Sequence, residues 1–177
     1  LGRFSELLRA SDGFLFVVDV VRDTSASSFR ADPERCYGRA FAEQIESFLA
    51  RTPLGVETLV SREPGGPYET GGGLLAARAL FRGDRPILLH NVDVLSDLPL
   101  EGLLAAHASS GALVTLAVMD RPSSRRLWFD DAGLLGRSDA GQGLDLRVRP
   151  STGPVQALAF AGVHALDPAL LGRLTER

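Results

Sequence analysis

PILLHNVDVLSD, residues 86–97, is the stretch from which the rest of the chain is read. Pro86 stops a regular element from running in from before it. Ile87, Leu88 and Leu89 then form an unbroken apolar run, the pattern of a strand covered on both faces as in a parallel sheet. The run gives way to His90, Asn91 and Asp93 where such a strand would surface, and in open α/β sheets ligands bind beyond the carboxyl ends of strands. Alternation sets Asn91 and Asp93 on one face and His90 and Val92 on the other. A carboxylate in that place can hold a hard cation such as Mg²⁺, which takes one or two protein carboxylates together with substrate phosphates. Asp93 can equally cap a turn or the next helix.

Toward the C-terminus, Pro99 suits the first turn of a helix over LEGLLAAHASS (100–110), and Gly111 suits its end. His107 is expected on the surface of that helix. ALVTLAVMD (112–120) reads as a second buried strand. RRLWFDDAGLLG (125–136) reads as a hairpin turning on Asp130-Asp131-Ala132-Gly133. Residues 137–154 lack a period and are expected to form a mobile loop. VQALAFAGVHAL (155–166) is a strand pair or one long bent strand with Gly162 at its midpoint, and Asp167-Pro168 opens a short final helix.

Toward the N-terminus, LLAARALF (74–81) reads as a helix, REPGGPYETGGG (62–73) as the loop before it, and VETLVS (56–61) as an alternating strand. AFAEQIESFLA (40–50) is an amphipathic helix with Phe41, Ile45, Phe48 and Leu49 on one face, ended by Thr52-Pro53. Residues 22–39 form a polar loop, FLFVVDVV (14–21) a strand with Asp19 at a solvated edge, and 1–13 a weak helix. Strand–helix alternation through the first 120 residues predicts an α/β fold whose sheet is mainly parallel, with right-handed crossovers, followed by an antiparallel excursion. No repeat or long linker divides the chain, so 1–177 is read as one domain.

The length fits one domain with a sizeable core. With 45% apolar and 23% charged residues the composition is that of a soluble globular protein, and the net charge of −3 offers nucleic acid no electrostatic footprint. The one cysteine, Cys36, excludes an internal disulfide and a cysteine-based zinc site, and no histidine near it in sequence suggests a nucleophile. No apolar run approaches the ~18 residues that cross a bilayer, and the basic region and cleavage site of a secretory signal are missing. The expected setting is the cytoplasm, away from membranes. A start at Leu1 instead of methionine leads us to expect a domain incomplete at its N-terminus.

Tyr68-Glu69-Thr70-Gly71-Gly72-Gly73 falls between an expected strand and an expected helix. Consecutive glycines let a backbone approach a ligand closely, and the free N–H groups of a following helix add partial positive charge. Such a turn suits a phosphate or the edge of a nucleobase. It is neither a dinucleotide fingerprint nor a Walker loop, since the spacing and the lysine are absent. A flexible turn ahead of a helix explains the same residues, and both readings stay open.

In combination, ETGGGLLAAR (69–78), ILLHNVDVLSD (87–97), ALVTLAVMDRP (112–122) and LAFAGVHALDPALL (158–171) resemble the sugar-1-phosphate nucleotidyltransferases, the NDP-sugar pyrophosphorylase family. The likeness is to the branch of mannose-1-phosphate guanylyltransferase-like and N-acetylmuramate-1-phosphate uridylyltransferase-like enzymes, and AFAEQIESFLA (40–50) resembles the helix after that family's second strand. The resemblance covers 40–171. Residues 1–39 are atypical: the family's glycine-rich loop with an arginine and a following proline-lysine pair has no counterpart there.

What the resemblance implies is a Rossmann-like, mixed and mainly parallel sheet flanked by helices, of the nucleotide-diphospho-sugar transferase type. It implies transfer of a nucleotidyl group from UTP or GTP to a sugar-1-phosphate, with release of pyrophosphate, in nucleotide-sugar biosynthesis for cell-envelope precursors. It assigns Asp93 as the catalytic ligand of Mg²⁺, Glu69, Thr70, Gly71 and Gly72 to the nucleotide, and Asn91 and Gly162 to the sugar. His164 is expected to be a packing residue. Two other readings stand beside it. One is a non-catalytic relative that binds a nucleotide-sugar, favoured by the missing loop. The other is a metal-dependent glycosyltransferase, although such enzymes usually carry Asp-x-Asp where this chain has Asn91-Val92-Asp93.

Overall fold

The computed structural model describes residues 46–52, 58–62, 69–81, 83–91 and 94–175. A helical stretch over 46–51 agrees with the end of the amphipathic helix expected at 40–50, but Phe48, assigned to its apolar face, is exposed. Phe41 and Ile45 lie outside the described residues, as do Cys36 and the strand read at 14–21. The described elements then follow in order: α1 (Glu69–Ala76), β1 (Ile87–His90), α2 (Leu100–Ser110), β2 (Val114–Met119), β3 (Arg125–Asp130), β4 (Gly133–Asp139), β5 (Leu144–Arg147) and β6 (Gln156–Leu166).

β1 is the strand its apolar run predicts. Ile87, Leu88 and Leu89 are 4%, 2% and 3% exposed, so neither face of the strand meets water. Side chains alternate between faces, and the packing follows that alternation. Leu88 joins Val163 and Ala165 of β6, Ala117 of β2, and Leu100 and Leu103 of α2 in one core cluster. Ile87 and Leu89 join Leu166 and Leu74 of α1 in the other, with Phe81, Val114, Leu170, Leu171 and Leu174 packed against it. Helical elements therefore cover both faces of the sheet, and the fold is α/β.

The direction of pairing departs from expectation. β1 and β2 run the same way, as the α2 crossover between them requires, but they do not pair with each other. β6 lies between them and antiparallel to both: Leu89 and Leu116 share the partner His164, and Ile87 and Val114 share Leu166. β3 pairs with the start of β6, β4 with β3, and β5 with β4, all antiparallel. The six described strands thus form an antiparallel sheet, in place of the mainly parallel Rossmann-like one. Strand–helix alternation dictates the relative direction of β1 and β2 but not what fills the slot between them. The 11-residue apolar β6 arrives there from far along the sequence. Residues 58–61, within the strand expected at 56–61, are exposed and irregular.

α2 spans the residues its boundary signals mark, with Gly111 in the left-handed conformation at its end (φ 63°). His107 is not on the surface. It is 4% exposed, and its Nδ1 lies 2.8 Å from Thr115 Oγ1, a polar clasp between helix and sheet. The hairpin at 125–136 is present, closed by the Asp130–Gly133 pair. Residues 137–154, expected as a mobile loop, instead complete β4 and supply β5. They are tied down by the Arg149 guanidinium, which donates to both oxygens of the fully enclosed Asp130 carboxylate at 2.6 and 2.7 Å. Arg147 also stacks 4.0 Å from the centre of the Trp128 ring. β6 is the single long bent strand allowed by the sequence. The last short helix is a 3-10 turn, Pro168–Arg173, capped by Asp167, whose side chain accepts from Ala169 N–H at 2.7 Å.

Candidate functional site

Because β1 and β2 point the same way, their carboxyl ends open on one rim of the sheet, with β6 between them. β6 is not regular at that rim. The step from Leu116 to Val118 on β2 is matched by the longer step from His164 to Phe160 on β6. The extra residues form a bulge around Gly162, which is buried and has φ +80°. Bulges of this kind bend a strand and re-aim what lies beside it, and the positive φ is why glycine stands there.

Asn91, just past the end of β1, meets this bulge. Its N–H donates to the Gly162 carbonyl at 2.9 Å, and its own carbonyl accepts from Val94 N–H at 3.3 Å. His90 Nδ1 lies 2.8 Å from the same Asn91 carbonyl. Asn91 and Gly162, both assigned to the sugar from sequence, are therefore brought together by the fold. Asp93 lies outside the described residues. Sequence reasoning missed Val94, which lies against Gly162; a lone valine after a strand carries no signal that could have revealed it.

The glycine segment is placed differently from its reading as a loop. Glu69, Thr70, Gly71 and Gly72 are the opening residues of α1, which begins at Glu69 and not at residue 74. Tertiary packing overrides the poor helix propensity of glycine: Leu74 is 3% exposed and Ala77 1% exposed. The first N–H groups of a helix have no partner within it and carry partial positive charge. Gly71 is exposed, and a Cβ built on it would meet nothing within 4 Å among the described residues.

His164 is buried at 8% exposed between Leu89 and Leu116, with its ring 5.3 Å from that of Phe160. Among the described residues its Nδ1 has no hydrogen-bond partner, and burial pushes its pKa down to about 4. A neutral, enclosed imidazole suits the packing role expected of it. Among the described residues no three His, Cys, Asp or Glu side chains gather closely enough to hold a metal ion. Mg²⁺ usually takes few protein ligands and completes its shell with water and substrate phosphates. No described helix is long and apolar enough to cross a membrane.

No family model matches the chain. The chain is similar to the mannose-1-phosphate guanyltransferase of Gibberella zeae, 39% identical over 88 residues, which amount to 46% of this chain and 23% of that protein. The matched region thus spans less than a quarter of the relative. That partial likeness is to a sugar-1-phosphate nucleotidyltransferase, the group that the sequence resembles.

Proposed function

We propose that this chain is the sugar-phosphate-handling part of a nucleotidyltransferase that moves a nucleotidyl group from GTP or UTP to a sugar-1-phosphate. An oxygen of the sugar phosphate attacks the α-phosphorus, the bond from that phosphorus to the bridging oxygen breaks, and pyrophosphate leaves. No covalent bond to the protein forms, so the protein contributes placement and charge. The observation that carries this reading is the meeting of Asn91 with the Gly162 bulge at the rim where β1 and β2 both end. A polar side chain held at that rim suits a sugar hydroxyl or phosphate. The likeness to a mannose-1-phosphate guanyltransferase favours this chemistry over glycosyl transfer.

In this reading the start of α1, from Glu69 to Gly72, receives the nucleotide, and Asn91 faces the sugar with Gly162 behind it. Asp93 would hold Mg²⁺, which would neutralise charge on the phosphates. The test is release of pyrophosphate from GTP or UTP in the presence of Mg²⁺ and a panel of sugar-1-phosphates that includes mannose-1-phosphate. Release that requires both substrates supports the transfer. Binding of a nucleotide-sugar without release would favour the non-catalytic relative instead.

A further inference from the structure

Gly162 does not leave open space. A Cβ at that position would run into Val94 Cγ2 at 2.7 Å, with the Cβ and Nδ2 atoms of Asn91 in ordinary contact at 3.5 Å. The room that glycine creates in β6 is already filled by the chain leaving β1. Its other ties converge on the same point: Asn91 N–H to the Gly162 carbonyl, Val94 N–H to the Asn91 carbonyl, and His90 Nδ1 beside that same carbonyl. A half-buried valine on a glycine hollow, flanked by backbone hydrogen bonds on both sides of Asn91, is a seat that allows one placement.

We propose that Gly162 and Val94 are positioning residues: Val94 seats in the hollow of the β6 bulge and so fixes Asn91 at the rim where substrate binds. The inference rests on the nucleotidyltransferase reading for what Asn91 touches, but not for the seat itself. In transfer chemistry without a covalent intermediate, a shift of about 1 Å at a positioning group costs on the order of 100-fold in rate. Gly162 then acts through Asn91, and its need for glycine is met within the protein.

The deciding variant is Val94→Ala, which shortens the seated side chain and leaves the backbone of Gly162 alone. Two readouts are taken on the whole chain: hydrogen exchange of the Asn91 amide, and kcat against KM for pyrophosphate release. We expect Asn91 exchange to rise roughly 10-fold or more while the Leu88 and Leu89 amides stay slow. We expect kcat to drop about 10-fold or more with KM within about twofold. Gly162→Ala should lower Tm and kcat together, and adding Val94→Ala to it should recover part of both losses, because the new methyl then has room. A purely structural contact would lower Tm while Asn91 exchange and kcat stay at wild-type values, and that result overturns the inference. If the wild-type chain releases no pyrophosphate, the transferase reading fails alone, and the Asn91 exchange rates still decide whether the seat exists.

Discussion

Gly71→Ala separates what the fold asks of the glycine segment from what a ligand asks of it. Gly71 is the third residue of α1 and is exposed, with no described neighbour within 4 Å of an added Cβ. Replacing a helical glycine by alanine gains up to about 1 kcal/mol in a helix interior, and near the first turn about half of that. For a chain of this size the gain corresponds to a rise in Tm of roughly 1–2 °C. The same methyl would stand on the open side through which a nucleobase would approach. If it weakens nucleotide binding about tenfold, the thermal shift from saturating GTP or UTP shrinks by about 1.4 kcal/mol, or roughly 3–5 °C. Thermal melts of the two proteins with and without nucleotide read both quantities. A fall in the ligand-free Tm would refute the helical placement of Gly71. A higher Tm with an undiminished nucleotide shift would refute the nucleotide contact and leave the helix standing.

Three further outcomes follow from the geometry. His164 is held neutral by burial with a pKa of about 4, below its ordinary value of 6.5, so between those two values the unfolded chain takes up a proton that the folded one refuses. Its share of stability is complete above about pH 6.5 and falls as pH drops toward 4, by up to about 3 kcal/mol at 1.4 kcal/mol per unit; urea midpoints across that range should fall for the wild type and hold steadier for His164→Phe, and parallel pH profiles would contradict this. Thr115→Val keeps the shape but strands His107 Nδ1 in a buried site, which should cost about 1–3 kcal/mol in urea unfolding; an unchanged midpoint would mean that the clasp contributes nothing. Gly136 is buried on β4 with the Leu146 carbonyl where its Cβ would stand, so Gly136→Ala should force β5 away and expose Trp128, seen as a red-shifted fluorescence maximum; an unshifted spectrum would contradict that.

What the sequence revealed and what it hid divide along one physical line. β1 was legible because Pro86, three apolar residues and a polar exit carry both its bounds and its burial locally. α2 was legible for the same reason, with Pro99 before it and Gly111 after. The hairpin was marked by Asp130 to Gly133, and the final turn by Asp167-Pro168. The antiparallel sheet was not legible, because β6 reaches its slot between β1 and β2 from some 70 residues beyond β1, and pairing at that range leaves no local pattern. α1 began earlier than read because packing of Leu74 and Ala77 outweighs the propensity of the glycines before them. β5 was missed because what orders it is the Asp130–Arg149 pair and the Arg147–Trp128 stack, contacts between strands and not a periodicity along one. Of the site, Asn91 and Gly162 were named and are brought together, whereas their connection through Val94 exists only in three dimensions.

The measurement that bears most directly on the central claim is Mg²⁺-dependent pyrophosphate release from GTP or UTP with sugar-1-phosphates, run on the wild-type chain and on Asp93→Asn. We expect release that needs both substrates and the cation, and that drops by on the order of 100-fold or more in the variant. Folded wild-type protein that releases none, or a variant that releases as much as the wild type, would contradict the account.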